Sequence, residues 1–206
     1  MYGHVLMRPQ DHPIKAAMEF EAQETQRILY HVIGLSGTKC KEPLTCTWSD
    51  GTVVFLGARE AGTTPGGVGF MVAPNFTKNV MSVTLHSHRF VILTGTLTKD
   101  FSASIILVYA SKSDSDEDQQ EDFYDDLSEL IRSQKCSCAV VSGDFNARVR
   151  SRRTGENFTG PDSAQQRNAA GKRPANFCEI YHMYHGNSQF VEAPMDTRVP
   201  EWATAF

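Results

Sequence analysis

The stretch Val140-Val141-Ser142-Gly143-Asp144-Phe145-Asn146-Ala147 carries the residue types best suited to chemistry. A short apolar run ends at a glycine, and a carboxylate and an amide then stand two positions apart. In an extended chain, residues i and i+2 project to one face. Asp144 and Asn146 can therefore both face a pocket at the end of a strand. A carboxylate so placed can orient or deprotonate a water, and an amide can donate to a phosphate oxygen. By itself, Asp-x-Asn after a strand is commoner as a turn than as a site. Four arginines follow at once: Arg148, Arg150, Arg152 and Arg153. At the rim of a site they would neutralise phosphates; otherwise they belong to a solvated loop.

Other candidate groups have blander readings. His86-Ser87-His88 puts two imidazoles on one face of a strand or its edge, with no third metal ligand evident. His182 and His185 have the i, i+3 spacing of some helical metal pairs, with no carboxylate motif beside them. Cys136-Ser137-Cys138 has the wrong spacing for a zinc knuckle, and Cys138 opens an apolar run that belongs in the core. Gly66-Gly67-Val68-Gly69 opens a strand with no helix after it, so it reads as a hairpin and not as a phosphate-cradling loop. Trp48 and Trp202 read as packing or surface residues.

The elements that must position these groups come from a chain of 206 residues, 40% hydrophobic and 21% charged. That is one domain or at most two small ones, with enough length to bury a core. No apolar run reaches membrane-spanning length. The N-terminus lacks the layout of a signal peptide. Five cysteines, an odd number, point to reduced thiols in an intracellular protein, nuclear or cytoplasmic. A disulfide scaffold, a membrane span and a coiled coil are excluded. Net charge is −4, but unevenly spread. Residues 114–129 hold nine carboxylates and no Lys or Arg, whereas residues 148–173 hold seven basic residues against Glu156 and Asp162.

Residues 1–15 are a segment of unclear structure, and residues 16–30 have helical composition. Residues 31–36, 53–56, 68–72, 90–97 and 104–109 read as strands, the last two joined by a Lys99-Asp100 turn. Phe123, Leu127, Leu130 and Ile131 fall at i, i+4, i+7 and i+8, the stripe of an amphipathic helix. Ser113 or Ser115 can cap it, carboxylates crowd its first turn, and Arg132 and Lys135 lie near its end. The acidic run is its wet face. Residues 138–142 read as a buried strand, 148–172 as a long polar loop and 176–184 as a second helix. Mixed strands and helices with hairpins in the first half predict a layered α/β fold on packed sheets.

Gly143-Asp144-Phe145-Asn146 resembles the signature of the endonuclease/exonuclease/phosphatase superfamily, the fold of DNase I. Further pieces occur in the expected order: Gly66 to Phe70, Leu107 to Ala110, the acidic helix with Phe123 to Leu127, Arg153-Thr154-Gly155-Glu156, Arg167-Asn168 and Gly186-Asn187. The set spans roughly residues 16–190. It is most similar to the endonuclease domain of RTE-type LINE retrotransposons, craniofacial development protein-like copies included. The resemblance implies a four-layered DNase I-like α/β sandwich of two mixed, largely antiparallel sheets flanked by helices. Residues 16–206 would form that domain, incomplete at its C-terminal end. It implies DNA phosphodiester hydrolysis with Mg²⁺ or Mn²⁺, no membrane and no obligate protein partner. Carried onto this sequence, Asp144 orients or activates the attacking water and Asn146 holds the phosphate. Tyr109, at the end of its strand, contacts the scissile phosphate or supports the site. Arg148, Arg150, Arg152, Arg153 and Asn187 are the candidate DNA-phosphate contacts.

The chain departs from that pattern at defined places. The family's metal-binding Glu follows the strand read at 31–36, in a pattern like Gly-Leu-Ser-Glu-Thr. Here Gly34-Leu35-Ser36-Gly37-Thr38 stands in its place, and Gly37 has no side chain for a metal. No Asn precedes Asn75, and nothing after Asn187 matches the family's Ile-Asp-Tyr-like strand or its terminal Asp-His pair. Ser111 replaces the Pro expected after Tyr109-Ala110. Loss of a metal carboxylate and of an electrostatic partner each costs orders of magnitude in rate. The expectation is a retrotransposon-type endonuclease domain that is weak or inactive. Two alternatives stay open. One is another phosphodiesterase, phosphatase or abasic-site endonuclease of the same fold. The other is a non-catalytic nucleic-acid-binding remnant.

Overall fold

A computed structural model describes residues 30–62, 66–110, 117–149, 152–161, 167–168, 170–188 and 203–205, the last three through the backbone alone. The helix expected at 16–30 lies outside these residues except for Tyr30, which is irregular. Ser113, Ser115 and Trp202 also lie outside them.

Among the described residues, nine strands form two sheets. They are β1 (Val32–Ser36), β2 (Leu44–Thr47), β3 (Val53–Leu56), β4 (Val68–Val72), β5 (Val80–Leu85), β6 (Phe90–Thr98), β7 (Phe101–Tyr109), β8 (Cys138–Asp144) and β9 (Ala203–Ala205). The first sheet runs β2-β3-β4-β1-β9 and the second β5-β6-β7-β8. Among the described residues, two α-helices, α1 (Glu117–Ser133) and α2 (Lys172–Tyr181), join the sheets in an α/β architecture. The pairings β1–β4, β1–β9, β2–β3, β3–β4, β5–β6 and β6–β7 are all antiparallel. The chain divides into two compact units. One is Met1–Tyr109 with Ile131–Gly143 and Pro200–Phe206; the other is Ala110–Leu130 with Asp144–Val199.

Within the first unit, strand alternation builds two apolar layers. Val32, Val68, Phe70 and Val72 of the first sheet pack with Val91, Leu93 and Leu107 of the second. On the other face of the first sheet, Ile33, Leu35, Val54, Leu56 and Met71 form a second buried layer, against which Tyr30, Leu44 and Trp48 pack. β1 and β4 are thus apolar on both faces, which is why they read as continuous hydrophobic runs. Gly34 of β1 marks the closest approach between the sheets, since a Cβ there would lie 2.5 Å from Leu107 Cδ1. Leu107 fills that notch and is fully buried, worth about 2 kcal/mol of apolar transfer.

In the second unit, α1 buries Phe123, Leu127 and Leu130, as its apolar stripe predicts. The Phe123 ring meets Phe145 edge-on at 6.3 Å, and Tyr124, Phe177 and Tyr181 continue the aromatic core. Desolvation there pushes the Tyr124 phenol well above its ordinary value. Pro174 sits in the first turn of α2, where a missing N–H costs nothing. His182 ends that helix in the left-handed conformation, φ 53°.

Three strands were not foreseen. β2 is short, β5 is an edge strand without clean alternation, and β9 is three residues held by pairing to distant β1. β8 runs two residues further than expected, through Asp144, and is half-buried rather than buried. Cys138 is exposed, contrary to its expected place in the core, because β8 opens at the rim of the sheet. The second helix starts earlier than residue 176 and stops at Tyr181. No helix among the described residues is long and apolar enough to cross a membrane.

Leu107→Ala should destabilise the chain by about 2–5 kcal/mol in urea denaturation. Gly34→Ala should cost much less in the Leu107→Ala background than in the parent, because its methyl then enters the vacated notch.

Candidate functional site

The Asp144-Phe145-Asn146 turn is built from the backbone outward. Gly143 has φ +127°, and a Cβ there would lie 2.0 Å from the Val108 carbonyl oxygen. Only glycine lets β8 end this close to β7. The Asp144 carbonyl then accepts the Ala110 N–H at 2.8 Å. Asp144 Oδ1 accepts the Asn146 N–H at 2.8 Å, and Asn146 Nδ2 donates to the Ala110 carbonyl at 2.7 Å. Both main-chain groups of Ala110 are thereby committed to this turn.

That geometry corrects the extended reading of Asp144 and Asn146. Asn146 has φ +47°, so the two side chains do not lie on one strand face. An Asx turn brings them together instead. Two anchoring hydrogen bonds, about 1 kcal/mol each, offset the roughly 1 kcal/mol cost of a left-handed residue. Asp144 remains exposed. One carboxylate oxygen holds the turn, and the other can orient a water or take a cation. A small pocket beside the turn is lined by Ala110, Gln119, Gln120, Tyr124, Phe145 and Ala147.

The basic arm leaves this turn directly. Arg148, Arg152 and Arg153 are exposed. Their backbones are pinned: Arg148 N–H donates to Asn168 Oδ1, Arg152 N–H to the Gly160 carbonyl, and Arg153 N–H to Glu156 Oε2. Asn168 Oδ1 also accepts the Gly171 N–H at 2.8 Å. Arg150 lies outside the described residues. Asn187 lies in the short turn Gly186–Ser188, and its side chain is not described.

Sequence reasoning assigned no role to the pair that organises this arm. Arg167 is buried, its side chain 3% exposed, and it grips Glu156 with both terminal nitrogens, at 2.5 and 2.8 Å. The hydrogen bond from Arg167 holds the Glu156 carboxyl below its ordinary value, and Glu156 holds the Arg167 guanidinium above its own. The signal lay in Arg153-Thr154-Gly155-Glu156 and Arg167-Asn168, but their pairing spans a loop that spacing cannot bridge.

In the other unit, Tyr109 ends β7, half-buried against the inter-sheet layer, its N–H donating to the Arg89 carbonyl at 2.9 Å. Gly37 lies next to it: a Cβ there would sit 3.5 Å from Tyr109 Cε2. Gly37 has φ +69°, a conformation that strains any residue with a side chain. The structure therefore brings Asp144 and Asn146 together, and Tyr109 and Gly37 together, each pair within its own unit.

The other candidates are absorbed by local structure. His86 is exposed in the turn between β5 and β6. His88 Nε2 accepts from Arg89 Nε at 3.1 Å and lies 3.6 Å from Glu60, while burial pushes its imidazole below its ordinary value. His182 and His185 do not share a helix face, because the helix has ended at Tyr181. His185 Nδ1 lies 2.9 Å from Ser188 Oγ. Cys136 Sγ donates to the Cys138 carbonyl. Among the described residues, no three His, Cys, Asp or Glu side chains gather to hold a metal, and Gly37 contributes none.

A two-sheet α/β chain with an anchored Asp-Phe-Asn turn and a pinned arginine arm is thus in hand. Its similarity to known proteins is weak but extends over most of its length. Craniofacial development protein 2 of Bos taurus is 26% identical over 171 residues, covering 82% of this chain and 28% of that protein. The Tragulus javanicus protein of the same name is 25% identical over 171 residues, covering 82% and 29%. The chain spans less than a third of the length of these relatives. No family model matches it.

Glu156 loses its proton more readily folded than unfolded, so its pairing adds stability above its unfolded value and loses it as pH falls through the lower folded value. Arg167→Leu should cost about 1–3 kcal/mol at pH 7, by leaving the half-buried Glu156 carboxylate with only the Arg153 N–H as partner. The deficit relative to the parent should shrink on acidification, as urea denaturation at a series of pH values will read.

Proposed function

We propose that this chain is a DNA-binding domain of DNase I-like, retrotransposon-endonuclease type whose own hydrolysis of phosphodiesters is weak or absent. The observation that carries the reading is the Asp144–Asn146 turn, clamped on Ala110 with three exposed arginines leaving it. The distant similarity to craniofacial development protein 2 and the ordered motifs around Gly143 to Ala147 support it.

In this reading Arg148, Arg152 and Arg153 contact backbone phosphates, displacing counterions. Asn146 has one amide proton left after its bond to Ala110, enough to donate to a phosphate oxygen. Asp144 can still hold a water near that phosphate. Gly37 stands where the resemblance expects a metal-binding Glu, and loss of that carboxylate removes a ligand for Mg²⁺ or Mn²⁺. Hydrolysis is then slow while DNA binding persists. A fully active phosphodiesterase, phosphatase or abasic-site endonuclease on this fold needs that missing donor. A nuclear site of action goes with a DNA ligand.

Binding to duplex DNA should survive a chelator and weaken with salt by about 0.9 power of salt concentration per phosphate contact. Arg152→Ala should lower that slope by about one contact. Supercoiled plasmid with Mg²⁺ should be nicked barely, if at all, and Gly37→Glu alone should not restore nicking against a left-handed backbone. Robust nicking that vanishes in Asp144→Ala would overturn the impaired-enzyme reading; a flat salt response would overturn DNA binding.

A further inference from the structure

An exposed aromatic cluster stands on the same compact unit as the arginine arm. Phe158 and His182 are stacked, ring centroids 5.1 Å apart and planes 10° from parallel. Tyr184 leans on Phe158 at 5.3 Å and is 72% exposed, and Ile180 beside them in sequence is 69% exposed. The cluster is held from below. Glu179 accepts the N–H groups of Asn157 and Phe158 at 2.7 and 2.8 Å, and the Phe158 carbonyl accepts the His185 N–H at 2.9 Å. The segment carrying Phe158 is tied to the arginine arm by the bond from Arg152 N–H to the Gly160 carbonyl.

Three features select the occupant. The outer rings face solvent although each would be more stable covered. Their positions are preset by Phe158 and Glu179, so little ordering entropy is lost on binding. The exposed cations Arg152 and Arg153 belong to the adjoining backbone; among the described residues Glu156 is bound to Arg167 and the Arg153 N–H, and Glu179 to backbone N–H groups. Aromatic faces beside exposed arginines match a polyanion that carries its own flat rings. A base-paired duplex hides those rings in its stack, whereas an unpaired strand offers them.

We propose that His182 and Tyr184, backed by Phe158, form a stacking platform for the bases of single-stranded DNA, with Arg152 and Arg153 taking the adjacent phosphates. This deepens the DNA-binding reading above and rests on it.

The test measures anisotropy of a fluorescein-labelled oligothymidylate of about 16 nucleotides and of a matching duplex, with the full chain. Tyr184→Ala should weaken binding of the single strand by about tenfold and leave the duplex unchanged. Tyr184→Phe should keep parental affinity. Tyr184→Leu, which retains apolar bulk for folding but has no aromatic face, should behave as the alanine variant. The salt slope should stay constant through this series, since no phosphate contact is removed, and should fall in Arg152→Ala. A 2-aminopurine placed in the strand should be quenched by the parent chain and not by Tyr184→Leu. Parental single-strand affinity in Tyr184→Leu and in His182→Ala, with duplex binding intact, would overturn the platform and leave the DNA-binding reading standing. Failure of the unmodified chain to bind either form would overturn both.

Discussion

Ala110 donates to the Asp144 carbonyl and accepts from the Asn146 amide, and everything proposed for the site depends on that clamp. Ala110 is buried, so neither of its main-chain groups could be left without a partner at less than about 1–3 kcal/mol. Satisfying both with one turn fixes where β8 ends and forces Asn146 into the left-handed region. The side chain that holds the turn is the amide that the resemblance assigns to phosphate. Position and function therefore draw on the same two polar groups, and the carboxylate of Asp144 is similarly shared between the turn and solvent.

The arginine arm shows a second division of labour. Arg167 and Asn168 point inward and do structural work: one neutralises Glu156, the other collects the N–H groups of Arg148 and Gly171. That leaves Arg148, Arg152 and Arg153 with pinned backbones and exposed side chains. A cation on a fixed backbone loses less entropy on meeting a phosphate than one on a free loop. Position 37 runs the other way. Its left-handed backbone suits glycine beside Tyr109, and any residue with a side chain would be strained there.

Much of the scaffold was legible without coordinates. β1, β3, β4, β6, β7 and α1 declare themselves because burial imposes a period that local sequence records: runs apolar on both faces for β1 and β4, and the stripe of Phe123, Leu127 and Leu130 for α1. The Gly-Asp-Phe-Asn stretch stood out as a candidate site because its residue types are adjacent. Less legible was Cys138, whose apolar neighbours suggested a core position at what is a strand's open end.

What sequence alone determined is therefore the set of elements whose partners are periodic or adjacent, and the residue types available at the end of β8. The tertiary structure decided what depends on distant groups. β9 exists as a strand through its pairing with β1, and Asn146 abandons the extended form for a carbonyl 36 residues away. Glu156 finds Arg167 eleven positions along the chain, and Phe158 meets His182 and Tyr184 only once α2 has ended. Each is a contact whose energy is realised after chain closure, so no local pattern records it.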